Sequence, residues 1–513
     1  MSLKRKHNGS LATLTQPLKK SKVVQYHESD QEISDDGMDT ANIAGGRFDE
    51  SATSEESGDD GSDAEDSDED QVDGDAGEAN HSKGHGGRTH PSPSKTTAFR
   101  APTTQEIRMM KEASDLFRSN SFKLQLDALL PTVTPKQSHL PPLEKCLFEL
   151  HSILTKLPPI SPNLPLAAAA PLKTQGVSVP WPTPVPTAEA KFKVGFEKPA
   201  DIKVTGSWAN KLSVMAKDGE GFNVDLAVTM PPNLFNEKDY LNARFFHKRA
   251  YYLAVVAAAI AQSQTLSLSV SYDCPQGDLR RSYLVLTPNP NGSATDFTKS
   301  KASIRIHLAL DPSTSPISLS RLSPSHSNLR VTSSETNHPT PTYNNALLQA
   351  YTPSAHLLST HSFKTQIDAF PQAFSLLRVW ANQRGYSAKG KRVVHGFEIV
   401  GGEWWGFLIG YLVFGDNGKN RGNKKPLGRG LSSYQLFRGA LDFLAHHDFE
   451  SQPVFMKTAG ELQFPSAEYP SHHSSTFIDP TTMYNFFSGV PLESLKMLQR
   501  DAQITLNALN QDE

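Results

Sequence analysis

Val204-Thr205-Gly206-Ser207-Trp208, then Phe222-Asn223-Val224-Asp225-Leu226, is the stretch from which the rest of the chain can be read. Its first part is a strand closing in a Gly-Ser turn. Gly206 can adopt backbone conformations closed to other residues, so the main chain can approach a phosphate closely, and Ser207 can add a hydroxyl. Its second part is another strand. Strand side chains repeat every two residues, so positions 223 and 225 share a face. Carboxylates at both positions would hold two metal ions that activate an attacking oxygen and stabilise a leaving pyrophosphate. Position 223 is Asn, which is neutral. A third carboxylate is expected from a later strand. The candidate there, Ser303-Ile304-Arg305-Ile306-His307-Leu308, offers Arg305 and His307 and no acid. One carboxylate, Asp225, beside an amide and cations will not hold two hard cations at useful affinity.

Gly206, Ser207, Asn223, Asp225, Arg305 and His307 together resemble a degenerate nucleotidyltransferase site. No catalytic residue, metal or cofactor is expected from it. Around it, residues 191–310 read as one α/β domain. Asp201–Thr205, Phe222–Thr229, Thr265–Tyr272, Ser282–Leu286 and Ser303–Leu310 are rich in β-branched and aliphatic residues and read as strands. Asn236–Gln262 reads as a long helix. Its Leu241, Phe245, Tyr252, Leu253, Val256 and Ile260 share one face; Arg244, His247 and Lys248 fall on the other. Those three are candidate phosphate contacts, or else an ordinary solvated face. Arg249 falls on the apolar side, where a charge needs a partner, and Asp225 is the expected one.

Beyond this domain, 311–342 is Ser/Thr/Pro-rich and reads as an irregular linker, and 343–513 as mostly helical. Expected helices are Asn344–Leu358, Pro371–Arg384, Glu403–Phe414, Ser433–Ala445 and Pro491–Leu509. Trp404-Trp405 reads as core; His446-His447 and His472-His473 read as surface. Two basic loops interrupt the helices: Lys389, Lys391 and Arg392, and a Gly/Asn-rich stretch with Lys419, Arg421, Lys424, Lys425 and Arg429. Clustered cations on flexible backbone suit sequence-independent phosphate contact. Upstream, 101–190 reads as two helices, Thr103–Leu130 and Pro142–Leu157, and a connector. Nine prolines in 157–186 predict an extended segment without regular helix.

The first hundred residues contrast with this body. They are poor in aromatic residues and highly charged, so they read as disordered. Residues 1–27 carry six Lys/Arg and no acid, and 28–78 carry 21 Asp/Glu against one Arg, so a net charge of −3 for the 513-residue chain hides strong segregation. Lys4, Arg5 and Lys6, then Lys19, Lys20 and Lys22, have the spacing of a bipartite nuclear import signal. In the acidic block, Ser29, Thr53, Ser57, Ser62 and Ser67 each precede a carboxylate by three residues, the pattern of an acidophilic kinase of the casein kinase 2 type. Two cysteines, Cys146 and Cys274, cannot build a disulfide framework or a four-thiolate zinc site. The longest apolar run, Leu253–Ala261, is about half a membrane span, so no membrane partner is expected.

Longer stretches carry a family resemblance: Phe222-Asn-Val-Asp-Leu-Ala-Val-Thr-Met-Pro231, Lys238-Asp-Tyr-Leu-Asn-Ala-Arg-Phe-Phe-His-Lys-Arg-Ala250, Arg321-Leu-Ser-Pro-Ser-His-Ser-Asn-Leu-Arg330, Pro339-Thr-Pro-Thr-Tyr-Asn344 and Leu377-Arg-Val-Trp-Ala-Asn-Gln-Arg-Gly385. Over roughly 100–510 the chain resembles the nucleolar RNA-associated protein (Nrap) family, in its N-terminal half. The resemblance implies an α/β nucleotidyltransferase-like domain followed by a helical domain like that of poly(A) polymerase and oligoadenylate synthetase. It also implies a non-catalytic scaffold of the small-subunit processome in the nucleolus. The implied partners are pre-ribosomal RNA, processome proteins including an rRNA-processing partner, and casein kinase 2. Family members are about twice this long, so the chain reads as a fragment of such a protein. The alternatives are an active RNA nucleotidyltransferase and an acidic-tailed chaperone for basic ribosomal proteins.

Overall fold

The computed structural model describes residues 103–216, 221–329, 338–387, 392–416, 426–458 and 464–511. Two helices come first, α1 (Thr104–Val133) and α2 (Pro141–Lys156). Pro141 and Pro142 open α2, where a missing N–H costs nothing, and its Leu143, Cys146, Leu150 and Leu154 repeat at helical spacing and are all buried.

The proline-rich stretch is more regular than its composition predicts. It forms strand β1 (Ile160–Asn163) and helix α3 (Pro165–Thr174), and β1 pairs with β2 (Val194–Phe196). The expected absence of helix is thus corrected. Pro165 lies at the start of α3, where its fixed φ suits a first turn, and the run Ala167–Ala170 sustains the next.

The central sheet follows: β3 (Asp201–Thr205), a single helical turn α4 (Gly206–Ala209), β4 (Phe222–Thr229), helix α5 (Arg244–Ala261), β5 (Leu268–Asp273), β6 (Tyr283–Pro288) and β7 (Ala302–Ala309). The strand order is β3-β4-β7-β6-β5. Only β4 and β7 run parallel among these neighbours; the other pairs are antiparallel. Alternate residues of β4 (Val224, Leu226, Val228) and of β7 (Ile304, Ile306, Leu308) enter the core with Tyr252, Leu253 and Val256 of α5. The opposite face of β4 and β7 is left to carry polar side chains.

Helix α5 starts eight residues later than the sequence predicts. Asn242 and Ala243 have φ of 52° and 60°, a left-handed step that a helix cannot contain. The step is held by the hydroxyl of Tyr343, which accepts from the Ala243 N–H at 2.9 Å and donates to the Tyr240 carbonyl at 2.7 Å.

The remaining elements are α6 (Pro341–Leu348), α7 (Thr352–Gln366), α8 (Phe370–Arg384), α9 (Phe397–Val400), α10 (Trp404–Phe414), α11 (Ser433–His446), β8 (Val454–Phe455), α12 (Glu468–His472), β9 (Phe477–Ile478) and α13 (Leu492–Gln511). Helix α10 is apolar all round and buried all round, with Trp404 and Trp405 fully enclosed. The stretch 311–329 is irregular apart from one tight turn, Leu319–Leu322, but it is tied down. Asn328 Nδ2 donates to the Arg321 carbonyl and to Asn344 Oδ1, both at 2.8 Å, while Asn344 Nδ2 donates to the Ser323 carbonyl at 2.7 Å. Ser323 and Ser325 both bond Glu468. The stretch is irregular, as expected of a linker, but a polar seam around Ser323, Ser325 and Asn328 holds it in place.

Further polar contacts join segments far apart in the sequence. The Asn345 side chain bonds the Asn485 backbone twice: its Nδ2 donates to the Asn485 carbonyl at 3.1 Å, and its Oδ1 accepts from the Asn485 N–H at 2.8 Å. Lys364 Nζ donates to the Asn210 carbonyl at 2.9 Å, and Arg281 reaches Gln349 Oε1 at 2.8 Å and the Tyr484 hydroxyl at 3.3 Å.

Candidate functional site: a cleft of arginines

Gly206 ends β3 with a φ of +69°, and a Cβ there would stand 2.6 Å from Asp225 Oδ2, so this close approach requires glycine. Across the sheet, the parallel register pairs Asn223 with Ser303, Asp225 with Arg305 and Ala227 with His307. The six residues read from the sequence, Gly206, Ser207, Asn223, Asp225, Arg305 and His307, therefore line one cleft of about 220 Å³.

The donor set does not fit a pair of divalent cations. Asn223 Oδ1 accepts a hydrogen bond from Ser303 Oγ at 2.8 Å, so its amide is already engaged. Asp225 Oδ1 lies 3.3 Å from His307 Nε2. Burial alone would raise the Asp225 pKa. The His307 bond, with the charges of His307, Arg305 and Arg378, outweighs burial and holds the carboxyl below its usual range. Arg305 stands where a third carboxylate would be needed, with its guanidinium 5.4 Å from the Tyr283 ring centre.

The same cleft contains three arginines that periodicity did not select for it: Arg280, Arg281 and Arg378. Arg378 comes from α8 and fills the space above Gly402, whose Cβ would lie 2.5 Å from its Cζ. Burial pushes its pKa down to about 10, Arg305 pushes the same way, and Asp225 opposes them. A cation amid Leu376, Leu377, Val379 and Trp380 was the available signal. Arg280 grips Asp278 at 2.8 and 3.0 Å, whereas Arg281 lies 3.7 Å from that carboxylate.

Arg249 corrects an expectation. It does not pair with Asp225. Its Nη2 donates to the Ser282 carbonyl at 2.6 Å, and its Nη1 makes longer bonds to Ser282 Oγ and the Arg280 carbonyl. Burial lowers its pKa to about 10; Asp278 opposes this and Arg281 adds to it. The short turn Leu279–Arg281 offers it carbonyls, and Asp225 is taken by His307.

His247 and Lys248 are also corrected. Both are buried, with 3% and 8% exposure, so neither is a free phosphate contact. The segment before β2 covers that face of α5. His247 Nε2 bonds the Pro184 carbonyl at 2.8 Å and its ring stacks on Phe192 at 5.4 Å. Lys248 Nζ forms an ion pair with Asp239 at 2.6 Å and donates to the Leu234 carbonyl at 2.7 Å. Arg244 is half-buried. In the basic loops, Arg392 is exposed, and so is Arg429, whose guanidinium sits 5.0 Å from the Phe414 ring centre. Lys389, Lys391, Lys419, Arg421, Lys424 and Lys425 lie outside the described residues, as do Lys4, Arg5, Lys6, Lys19, Lys20 and Lys22 and the hydroxyls of Ser29, Thr53, Ser57, Ser62 and Ser67.

Two family profiles match the chain: Nrap protein domain 1 over residues 162–366, and the Nrap protein PAP/OAS-like domain over residues 369–513. Among curated relatives, U3 small nucleolar RNA-associated protein 22 of Saccharomyces cerevisiae is 30% identical over 431 residues, covering 80% of this chain and 34% of that protein. Nucleolar protein 6 of Xenopus laevis is 29% identical over 433 residues, with 81% and 34% covered. Nucleolar protein 6 of Homo sapiens is 26% identical over 427 residues, with the same two shares. The chain thus spans about a third of the length of these relatives. Among solved structures, the Cid1 poly(U) polymerase bound to MgGTP aligns with a TM-score of 0.40 at 11% identity, over 76% of this chain and 94% of that one.

Proposed function

Because this chain belongs to the Nrap family, matching its domain 1 and its PAP/OAS-like domain, we propose that it is a non-catalytic scaffold of ribosome assembly whose first domain is a degenerate nucleotidyltransferase. In this reading it works in the nucleolus, in the small-subunit processome, where it binds pre-ribosomal RNA and assembly factors during 18S rRNA maturation. The relatives named for the nucleolus and for U3 small nucleolar RNA support the setting. One observation carries the loss of catalysis: Asn223 is bonded to Ser303, and Arg305 stands in register with Asp225, at the positions where two cations would need carboxylates. The exposed Arg392 and Arg429, with the lysines of their two loops, are the proposed sequence-independent RNA contacts. An rRNA-processing protein and casein kinase 2 are the proposed protein partners, the kinase acting on the acidic block.

The test is nucleotide incorporation. The full chain is incubated with an RNA primer, each labelled nucleoside triphosphate, and Mg²⁺ or Mn²⁺, beside an active polymerase as control. The expected outcome is retained RNA binding without incorporation. Incorporation above background would instead establish an active nucleotidyltransferase with a metal site built from other residues.

A further inference from the structure

The cleft is short of negative charge and rich in unused donors. Arg305 and Arg378 share one neighbouring carboxylate, Asp225. Arg280 and Arg281 share Asp278. At the far wall, Glu398 accepts from the Gly396 N–H at 2.8 Å and Glu403 holds His356 at 2.9 Å, so both carboxylates are committed elsewhere. Several guanidinium nitrogens are buried with no hydrogen-bond partner: Nε and Nη2 of Arg281, Nε and Nη2 of Arg305, and Nη1 of Arg378. Arg281 and Arg305 are themselves more than nine-tenths buried. Buried charged donors are normally paired, and a planar guanidinium matches two oxygens of one oxyanion.

We propose that this cleft is a metal-independent phosphate site, in which Arg281, Arg305 and Arg378 take the oxyanion that paired cations would otherwise bridge. The proposal rests on the reading of Asn223 and Arg305 as replacements for carboxylates. The ligand class follows from chemistry and size. Arginine forks suit phosphate oxygens, and the cleft, about 220 Å³, is below the roughly 300–1,000 Å³ of sites that enclose a drug-sized molecule. It therefore fits a di- or triphosphate group better than a whole nucleotide. That group can come from a free nucleotide or from an RNA 5′ end. Asp225 is a resident competitor: its side chain bonds His307 rather than the arginines, but its charge lies in the field of Arg305 and Arg378 and repels an incoming anion.

The experiment titrates sodium tripolyphosphate into the full chain in EDTA, by calorimetry, and repeats it with Mg²⁺. Binding in EDTA without gain from Mg²⁺ is expected. Arg305→Gln should weaken it about tenfold or more, as expected when a charge-assisted hydrogen bond is removed. Asp225→Asn is nearly isosteric and keeps the site testable if Arg305→Gln unfolds. It should tighten binding, about threefold to tenfold, by removing the competing charge. A metal-bridged site predicts the reverse, since Asp225 would then be a ligand. Absence of binding to both the parent chain and Asp225→Asn, or a requirement for Mg²⁺, or weaker binding by Asp225→Asn, overturns the proposal. A 5′-triphosphorylated RNA that competes where its 5′-hydroxyl form and ATP do not identifies the RNA end as the source. Equal competition by ATP identifies free nucleotide, and either result supports the site. Absent binding together with absent nucleotide incorporation removes this inference and leaves the scaffold reading intact.

Discussion

At the scale of the residue, His356 shows how charge is stored in this fold. Its ring is buried between Glu403, 2.9 Å from Nδ1, and Asp479, 3.0 Å from Nε2. Burial pushes its pKa down, but the two carboxylates prevail and raise it to about 9. A folded pKa above the unfolded value stabilises the protein fully below about 6.5, and that stabilisation is lost as pH rises toward 9. The thermal midpoint should therefore fall between pH 6.5 and 9, by an amount on the order of 2–3 kcal/mol in stability. In His356→Leu this fall should flatten, on a less stable background, because two carboxylates lose their cation. An unchanged pH slope in the variant would show that His356 does not carry it. His356 escaped the sequence because it stands on α7 and its partners lie 47 and 123 residues away. Asn223 and Arg305 were legible because alternation along two strands defines which positions face together. Arg378 was not, because nothing in local periodicity relates a helix residue to a strand about 150 positions earlier.

At the scale of the element, β3 and β4 match the residues expected from their β-branched runs, and α8, α10, α11 and α13 fall within two residues of their expected ends. The failures have local causes: the left-handed step at Asn242–Ala243, and a proline at a helix start inside a segment whose prolines argued against any helix. Helix α10 offers a test of packing against propensity. Alanine normally favours a helix over glycine by about 1 kcal/mol. A Cβ at Gly410, however, would lie 2.6–2.8 Å from ring atoms of Phe363. That ring is wedged against Phe370, Phe407 and Phe414 and has nowhere to go. Gly410→Ala should thus destabilise by about 1–3 kcal/mol, measured by denaturant unfolding. Gly428→Ala, with open space around its Cβ, should stay within about 0.5 kcal/mol of the parent. Equal stability of the two variants would contradict this account of α10.

At the scale of the whole molecule, charge and connectivity act together. The body beyond residue 78 carries 44 Lys/Arg and 33 Asp/Glu, a modest surplus beside the acidic block. If the two basic loops bind the RNA backbone, neutralising Lys389, Lys391, Arg392, Lys419, Arg421, Lys424, Lys425 and Arg429 should weaken RNA binding. It should also lower the slope of log affinity against log salt, by about 0.7–0.9 for each phosphate that is no longer neutralised. An unchanged slope would move the interface elsewhere. The sequence foresaw the order of the α/β and helical regions but not their interdependence, because the partners of a residue such as Arg281 (Gln349 and Tyr484) stand 68 and 203 positions away and meet it only when the chain is folded. The bonds of Asn345 to the Asn485 backbone, with Arg281 on Tyr484 and the two serines on Glu468, have a practical sequel for dissection of the protein. A cut between residues 366 and 369 looks inviting, but it severs a polar seam whose partners come from both sides. Fragments ending and starting there should precipitate when expressed alone and recover solubility when co-expressed, complementing each other like the two halves of a split reporter.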